Sequence, residues 1–199
     1  MERRVRIIGL LVTAALVAAA PLPVWAQDKT GGPVVVSHAV LASSIQRLTA
    51  QSPSWREATA AVAATGRRAL VITPDQVKTP IDPDTLAQVF PIADDQSRVE
   101  TVLVVVNLDL LRKLSGLPVT AVDFEDDVDR LIAHEVYGHA IPFLLSGSLA
   151  GKCADPVAGQ SAVASCVIQR ENVIRREMRL GLRSECGRES LAIARRDRQ

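Results

Sequence analysis

The sequence predicts an α+β domain with a small, mainly antiparallel sheet packed against helices. Two observations carry this. Short apolar runs rich in β-branched residues, Val34–Val36, Ala69–Ile72 and Val99–Leu108, are bounded by Pro, Gly or acidic residues and read as strands. The remaining segments show helical caps and helical spacing of apolar residues, with the longest of them after the last strand. Strands first and helices afterwards fit an α+β arrangement.

The N-terminus reads as a secretory signal peptide. Arg3, Arg4 and Arg6 precede an apolar run of 14 residues, Ile7–Ala20, closed by Pro21 and Pro23. Val24-Trp25-Ala26 offers a cleavage site after Ala26. A membrane-spanning helix needs about 20 apolar residues, so cleavage is favoured over a retained anchor. No cysteine follows the run, which argues against a lipid anchor. The expected organisation is a signal peptide over 1–26 and one domain over 27–199, periplasmic or secreted and without a membrane span once the signal is removed. Losing three Arg and one Glu turns the net charge from +1 to −1. With aromatics at only 3%, neither charge nor stacking surface suits nucleic acid.

Within that domain, 27–32 is polar. Pro33–Val36 is a strand, and a helix follows near Ala42–Ala50. Ser54 caps a second helix that runs to Ala64 and stops at Gly66. Ala69–Ile72 is a buried strand ended by Pro74. A short helix is expected at Asp84–Val89, inside an acidic connection. Val99–Leu108 is the strongest strand, followed by one helical turn over Leu110–Leu114. Asp123 caps the next helix, whose first turn holds Glu125, Asp126 and Asp127, matching the positive N-terminal dipole. This helix carries the motif below and must end or kink near Pro142.

The chemistry concentrates in His134-Glu135-Val136-Tyr137-Gly138-His139, which holds two of the three histidines. Neutral imidazoles bind Zn²⁺, and an adjacent Glu can take a proton from water. The usual helical form, H-E-x-x-H, stacks both ligands on one face. With one residue more, an i, i+5 pair on a regular helix is roughly 140° apart, at about 100° per residue. A π-type turn would absorb the extra residue, and Gly138 is the expected place for it.

The string H-E-x-x-G-H resembles the zinc motif of the dipeptidyl peptidase III metallopeptidases over six residues. The order of apolar strand, connection and H-E helix resembles the zincin metallopeptidases. The resemblance implies a zincin-like fold in which the edge strand before the motif helix borders the substrate cleft; here that would be Val102–Leu108. It also implies peptide-bond hydrolysis with Glu135 as general base.

A catalytic zinc site expects a third protein ligand. On a helical wheel Glu171 lies at the centre of an apolar stripe formed by Val167, Ile168, Ile174, Met178 and Leu182. A buried carboxylate needs a cation or hydrogen bonds. A metal shared with His134 and His139 would supply the first, and an ion pair with Arg175 is the plainer alternative. Glu177 falls off the stripe, and Asp155 is a loop acid that could also reach a metal. The run Glu171-Asn172-x-x-Arg175-x-Glu177 resembles a helix of bacterial effector metallopeptidases of the H-E-x-x-H type. Tyr137 and His38 read mainly as structural residues. Cys153, Cys166 and Cys186 permit one disulfide, with Cys153–Cys166 favoured because it would tie together the segment joining the two halves of the site.

The reading is therefore an exported Zn²⁺ peptidase acting on a peptide or protein substrate, with His134, His139 and Glu171 as metal ligands and Glu135 as base. The alternative is a non-catalytic envelope binding module, holding either a structural metal or a metal-free helix pair.

Overall fold

A computed structural model describes residues 32–77, 82–94, 96, 98–147 and 162–184. The signal segment, Cys153, Asp155 and Cys186 lie outside these residues, and with them the expected cleavage site and disulfide.

Four strands form one sheet: β1 (Val34–Val36), β2 (Arg68–Ile72), β3 (Ala87–Ala93) and β4 (Val99–Val106), in the order β1-β2-β4-β3. The helices are α1 (Ala39–Gln51), α2 (Pro53–Ala64), α3 (Leu108–Ser115), α4 (Val122–Ile132), α5 (Ile141–Ser146) and α6 (Ala162–Glu177). Between α4 and α5 the chain is π-helical over Ala133–Ala140. This is a single small α+β domain, as the sequence predicts.

The sheet is mixed where a mainly antiparallel one was expected. β1 with β2 and β2 with β4 are parallel, and only β3 with β4 is antiparallel. The α1–α2 pair supplies the crossover that a parallel β1–β2 connection requires.

The structure departs from the sequence reading at two further points. Residues 84–89 do not form a helix, because Ala87–Ala93 is a strand. Val89 lies opposite Val104 and Phe90 opposite Leu103, and this cross-strand pairing outweighs the local helix preference of Leu-Ala-Gln. Pro91 is tolerated because β3 is an edge. Val102–Val106 is an interior strand between β2 and β3, so the edge strand preceding the motif is β3 and not the stretch from Val102 to Leu108.

Caps differ from expectation in detail. Ser52, not Ser54, caps α2, its hydroxyl accepting from Trp55 N at 3.0 Å, and Pro53 takes the first helical position. α4 starts from Ala121 with no side-chain cap, and Asp123 lies in its first turn. The core joins Leu41, Leu48 and Trp55 of the N-terminal helices to Val71, Val102 and Val104 of the sheet and to Ile132, Val136, Leu144 and Ile174. The π segment is thereby held against β3 and β4, with α6 packed on it. No helix among the described residues is long and apolar enough to cross a membrane.

Candidate metal centre

The extra residue between the histidines is absorbed by the π segment. In this frame the hydrogen bond itself closes residue i to residue i+5, and Ile141 N donates to Val136 O across its end. His134 and His139 are therefore brought back to one face, their ring centres 5.1 Å apart and their planes at 80°.

Gly138 has a different role from the one expected. It is absent from the residues with positive φ, so backbone freedom is not what it supplies. A Cβ there would lie 2.7 Å from Val167 Cγ1. Gly138 is the point at which α6 meets the motif.

Pro142 does not end the helix. In an α-helical frame Gly138 O would look to residue 142, whose nitrogen is the ring nitrogen of proline and has no hydrogen. Arg170 Nη1 donates to Gly138 O at 2.9 Å in its place. The helix continues to Ser146 and stops at Gly147, which is left-handed at φ 71°.

The close approach of α6 delivers Glu171. Its carboxylate is fully buried, and Oε2 lies 2.8 Å from His134 Nδ1. Arg175 Nε donates to Oε1 at 2.6 Å, reinforced by its Nη2. Arg183 Nη1 donates to Oε2 at 3.2 Å and lies 3.1 Å from His134 Nδ1. Burial alone would raise this carboxyl, but the hydrogen bond and charge of His134, with Arg175 and Arg183, hold it at about 2. It therefore carries no proton at neutral pH, and the proton of the 2.8 Å contact belongs to Nδ1. In a neutral His134, a proton on Nδ1 leaves the Nε2 lone pair facing away from Glu171.

On the other side of the ring, Glu135 Oε1 lies 4.0 Å from His134 Nε2. Burial pushes the Glu135 carboxyl up, with Glu171 adding to the rise and His134 and Arg183 opposing it. His139 is lowered to about 4 by burial and by the nearby His134 and Arg170, so it is neutral at pH 7. A neutral imidazole is the form that binds metals.

The spacing of the two histidine rings fits a shared ion. With a metal about 2.1 Å from one nitrogen of each ring, the ring centres of a tetrahedral pair should be about 5 Å apart, which is the separation found here. Among the described residues, no three His, Cys, Asp or Glu side chains converge into a metal-binding group. Glu171, expected as a ligand, lies against His134, and its oxygens are engaged with His134 Nδ1, Arg175 and Arg183.

The remaining candidates fall elsewhere. Glu177 accepts from Ser52 and Ser54 at the start of α2, far from any ligand role. His38 caps α1, its Nδ1 accepting from Val40 N at 3.2 Å. Tyr137 is half-buried against the core. Of the apolar stripe, Val167, Ile168 and Ile174 are buried, whereas Leu182 is 58% exposed because the helix ends before it. Arg183 escaped sequence reasoning, since no helical spacing connects it to Glu171.

In comparisons with known proteins, no family model, no curated protein and no solved structure matches the chain.

Proposed function

We propose that this chain is an exported zinc-dependent hydrolase of peptide bonds, with His134 and His139 holding the ion and Glu135 acting as general base. The observation that carries the reading is the π-helical turn. It converts an i, i+5 histidine pair, useless on a regular helix, into two rings 5.1 Å apart, the spacing a shared ion requires. Such local departures from α-helix concentrate at functional sites.

The residues divide the work as follows. His134 presents Nε2 because Glu171 accepts its Nδ1 proton, the carboxylate–histidine arrangement that orients metal-binding imidazoles. The ligand role expected for Glu171 would require Oε2 to leave both His134 and Arg183, so we assign it the orienting role instead. Zinc, when bound, supplies Lewis acidity that polarises a carbonyl and favours deprotonation of water. Glu135, beside Nε2, takes the proton of the attacking water and passes it to the departing amine. β3 supports a peptide substrate class, being an antiparallel edge strand packed beside the π segment, and an extended peptide can add to such an edge.

A second reading is a metal-free helix pair in a non-catalytic envelope module. The saturation of Glu171 by His134, Arg175 and Arg183 favours it, since that cluster joins α6 to the motif without an ion.

Metal analysis and one substitution separate these readings. The purified chain should contain zinc, and Glu135→Gln should retain it while peptide hydrolysis falls by about 10²–10⁴. Metal-free protein that binds no added Zn²⁺ would favour the helix pair, and a Glu135→Gln variant that loses zinc would make Glu135 a ligand.

A further inference from the structure

The chain beyond α6 turns back on itself. Leu180 N donates to Arg175 O at 2.8 Å and Arg179 N to Arg176 O at 3.2 Å. This is the paired closure of a helix that ends on a left-handed residue. The left-handed position is held by Arg179 at φ 58°, where glycine is the usual occupant. An arginine here is strained, because its Cβ crowds the following carbonyl, so the reversal must be held from elsewhere.

Two side chains of α6 hold it. Asn172 grips Arg183 from both sides: Arg183 N donates to Asn172 Oδ1 at 2.9 Å, and Asn172 Nδ2 donates to Arg183 O at 2.8 Å. Arg175 Nη1 donates to Gly181 O at 2.7 Å. Residues 180–183 thus form a strap lying along α6. Its product is the placement of one guanidinium, that of Arg183, on Glu171 Oε2 and beside His134 Nδ1.

We propose that this strap is a positioning device for the metal centre. Asn172 fixes the backbone of Arg183, Arg183 holds Glu171 Oε2 in place, and Glu171 fixes His134 in the tautomer with Nδ1 protonated and Nε2 bare. Arg175 does the same from Oε1, so the carboxylate is gripped at both oxygens and cannot swing away from the ring. Asn172 and Arg183 are then positioning residues that touch neither ion nor substrate. The inference rests on the proposed metal reading for its purpose, but the tautomer it requires is read in the metal-free protein.

That separation sets the experiment. ¹⁵N-resolved NMR of the metal-free purified chain reads the protonation of each ring nitrogen of His134. Wild type should show a bare Nε2 and a protonated Nδ1. Arg183→Gln keeps the backbone grip and removes the charge, and Asn172→Ala removes the grip. In both variants, with amide dispersion and helical content retained, the single tautomer should give way to a mixture. Zn²⁺ affinity, measured by chelator competition, should fall about 10–100-fold, as for other supporting groups around metal ligands. Should Asn172→Ala fail to fold, Arg183→Gln alone carries the test. A wild-type His134 protonated on Nε2, with Nδ1 accepting from Arg183, would overturn the proposal. So would variants that keep the wild-type tautomer, since the strap would then be a helix terminus only. A wild type with the expected tautomer that binds no Zn²⁺ would refute the metal reading and leave the positioning role standing.

Discussion

A methyl group on Gly138 would meet Val167 Cγ1 at 2.7 Å, and Val167 is fully buried with a stiff β-branched side chain. Nothing at that point can swing aside, so α6 would have to lift from the π segment. Gly138→Ala should therefore cost about 1–3 kcal/mol by chemical denaturation. Val167→Ala opens the needed space, and the double variant should recover a coupling of about 0.5–3 kcal/mol. Strict additivity of the two would show that the helices are not in contact there. The sequence marks Gly138 as special, but for its conformational freedom. The reason found is proximity, which depends on a helix 24 or more positions downstream and is not written in the motif itself.

At the scale of elements, the i, i+5 spacing was enough to predict the π turn, because a regular α-helix cannot bring both histidines to one face. Local signals also located α1, α2, β2 and β4 to within a few residues. They failed for β3, where pairing with β4 decides the conformation, and for the end of α6, where the reversal at Arg179 has no glycine to announce it. The far end of α6 also shows why Glu177 lies off the apolar stripe. Its carboxylate accepts from Ser52 Oγ, from Ser54 Oγ at 2.6 Å and from Ser54 N at 3.3 Å, at the N-terminus of α2. Partial burial would raise Glu177, but these hydrogen bonds hold it below the usual carboxylate range. The sign follows: a carboxyl depressed in the folded state contributes stability above its unfolded pKa, near 4.3, and loses it as pH falls through the folded value. Glu177→Gln should lower stability at pH 7 by about 0.5–2 kcal/mol, the range for a helix N-cap. The gap to wild type should close as the pH falls below 4. A gap independent of pH would mean that the charge has no part in joining α6 to α2.

Across the whole molecule, the strand order was the least legible feature, since parallel pairing joins segments that no local signal relates. The same is true of the contact that sets the motif helix in place. Arg47 of α1 and Asp129 of α4, 82 positions apart, form a two-pronged pair with both hydrogen bonds at 2.9 Å. Asp129 lies five positions before His134 on the same continuous helical run. Its side chain is 3% exposed against 24% for Arg47, and burial pushes its carboxyl up against the opposing pull of Arg47. The cost of the burial therefore falls on Asp129, so the pair adds little net stability while its rupture is expensive. Arg47→Met should lower stability by about 3–5 kcal/mol, because it strands a buried carboxylate. Arg47→Met with Asp129→Leu should restore most of that loss, since no charge is left behind. Hydrogen exchange gives the functional readout: in the single variant, amides of Ala133–Ala140 should exchange faster, and in the double variant they should return toward wild type. If Arg47→Met stays within about 1 kcal/mol of wild type, water reaches Asp129. The α1–α4 contact would then not be what steadies the histidine-bearing turn.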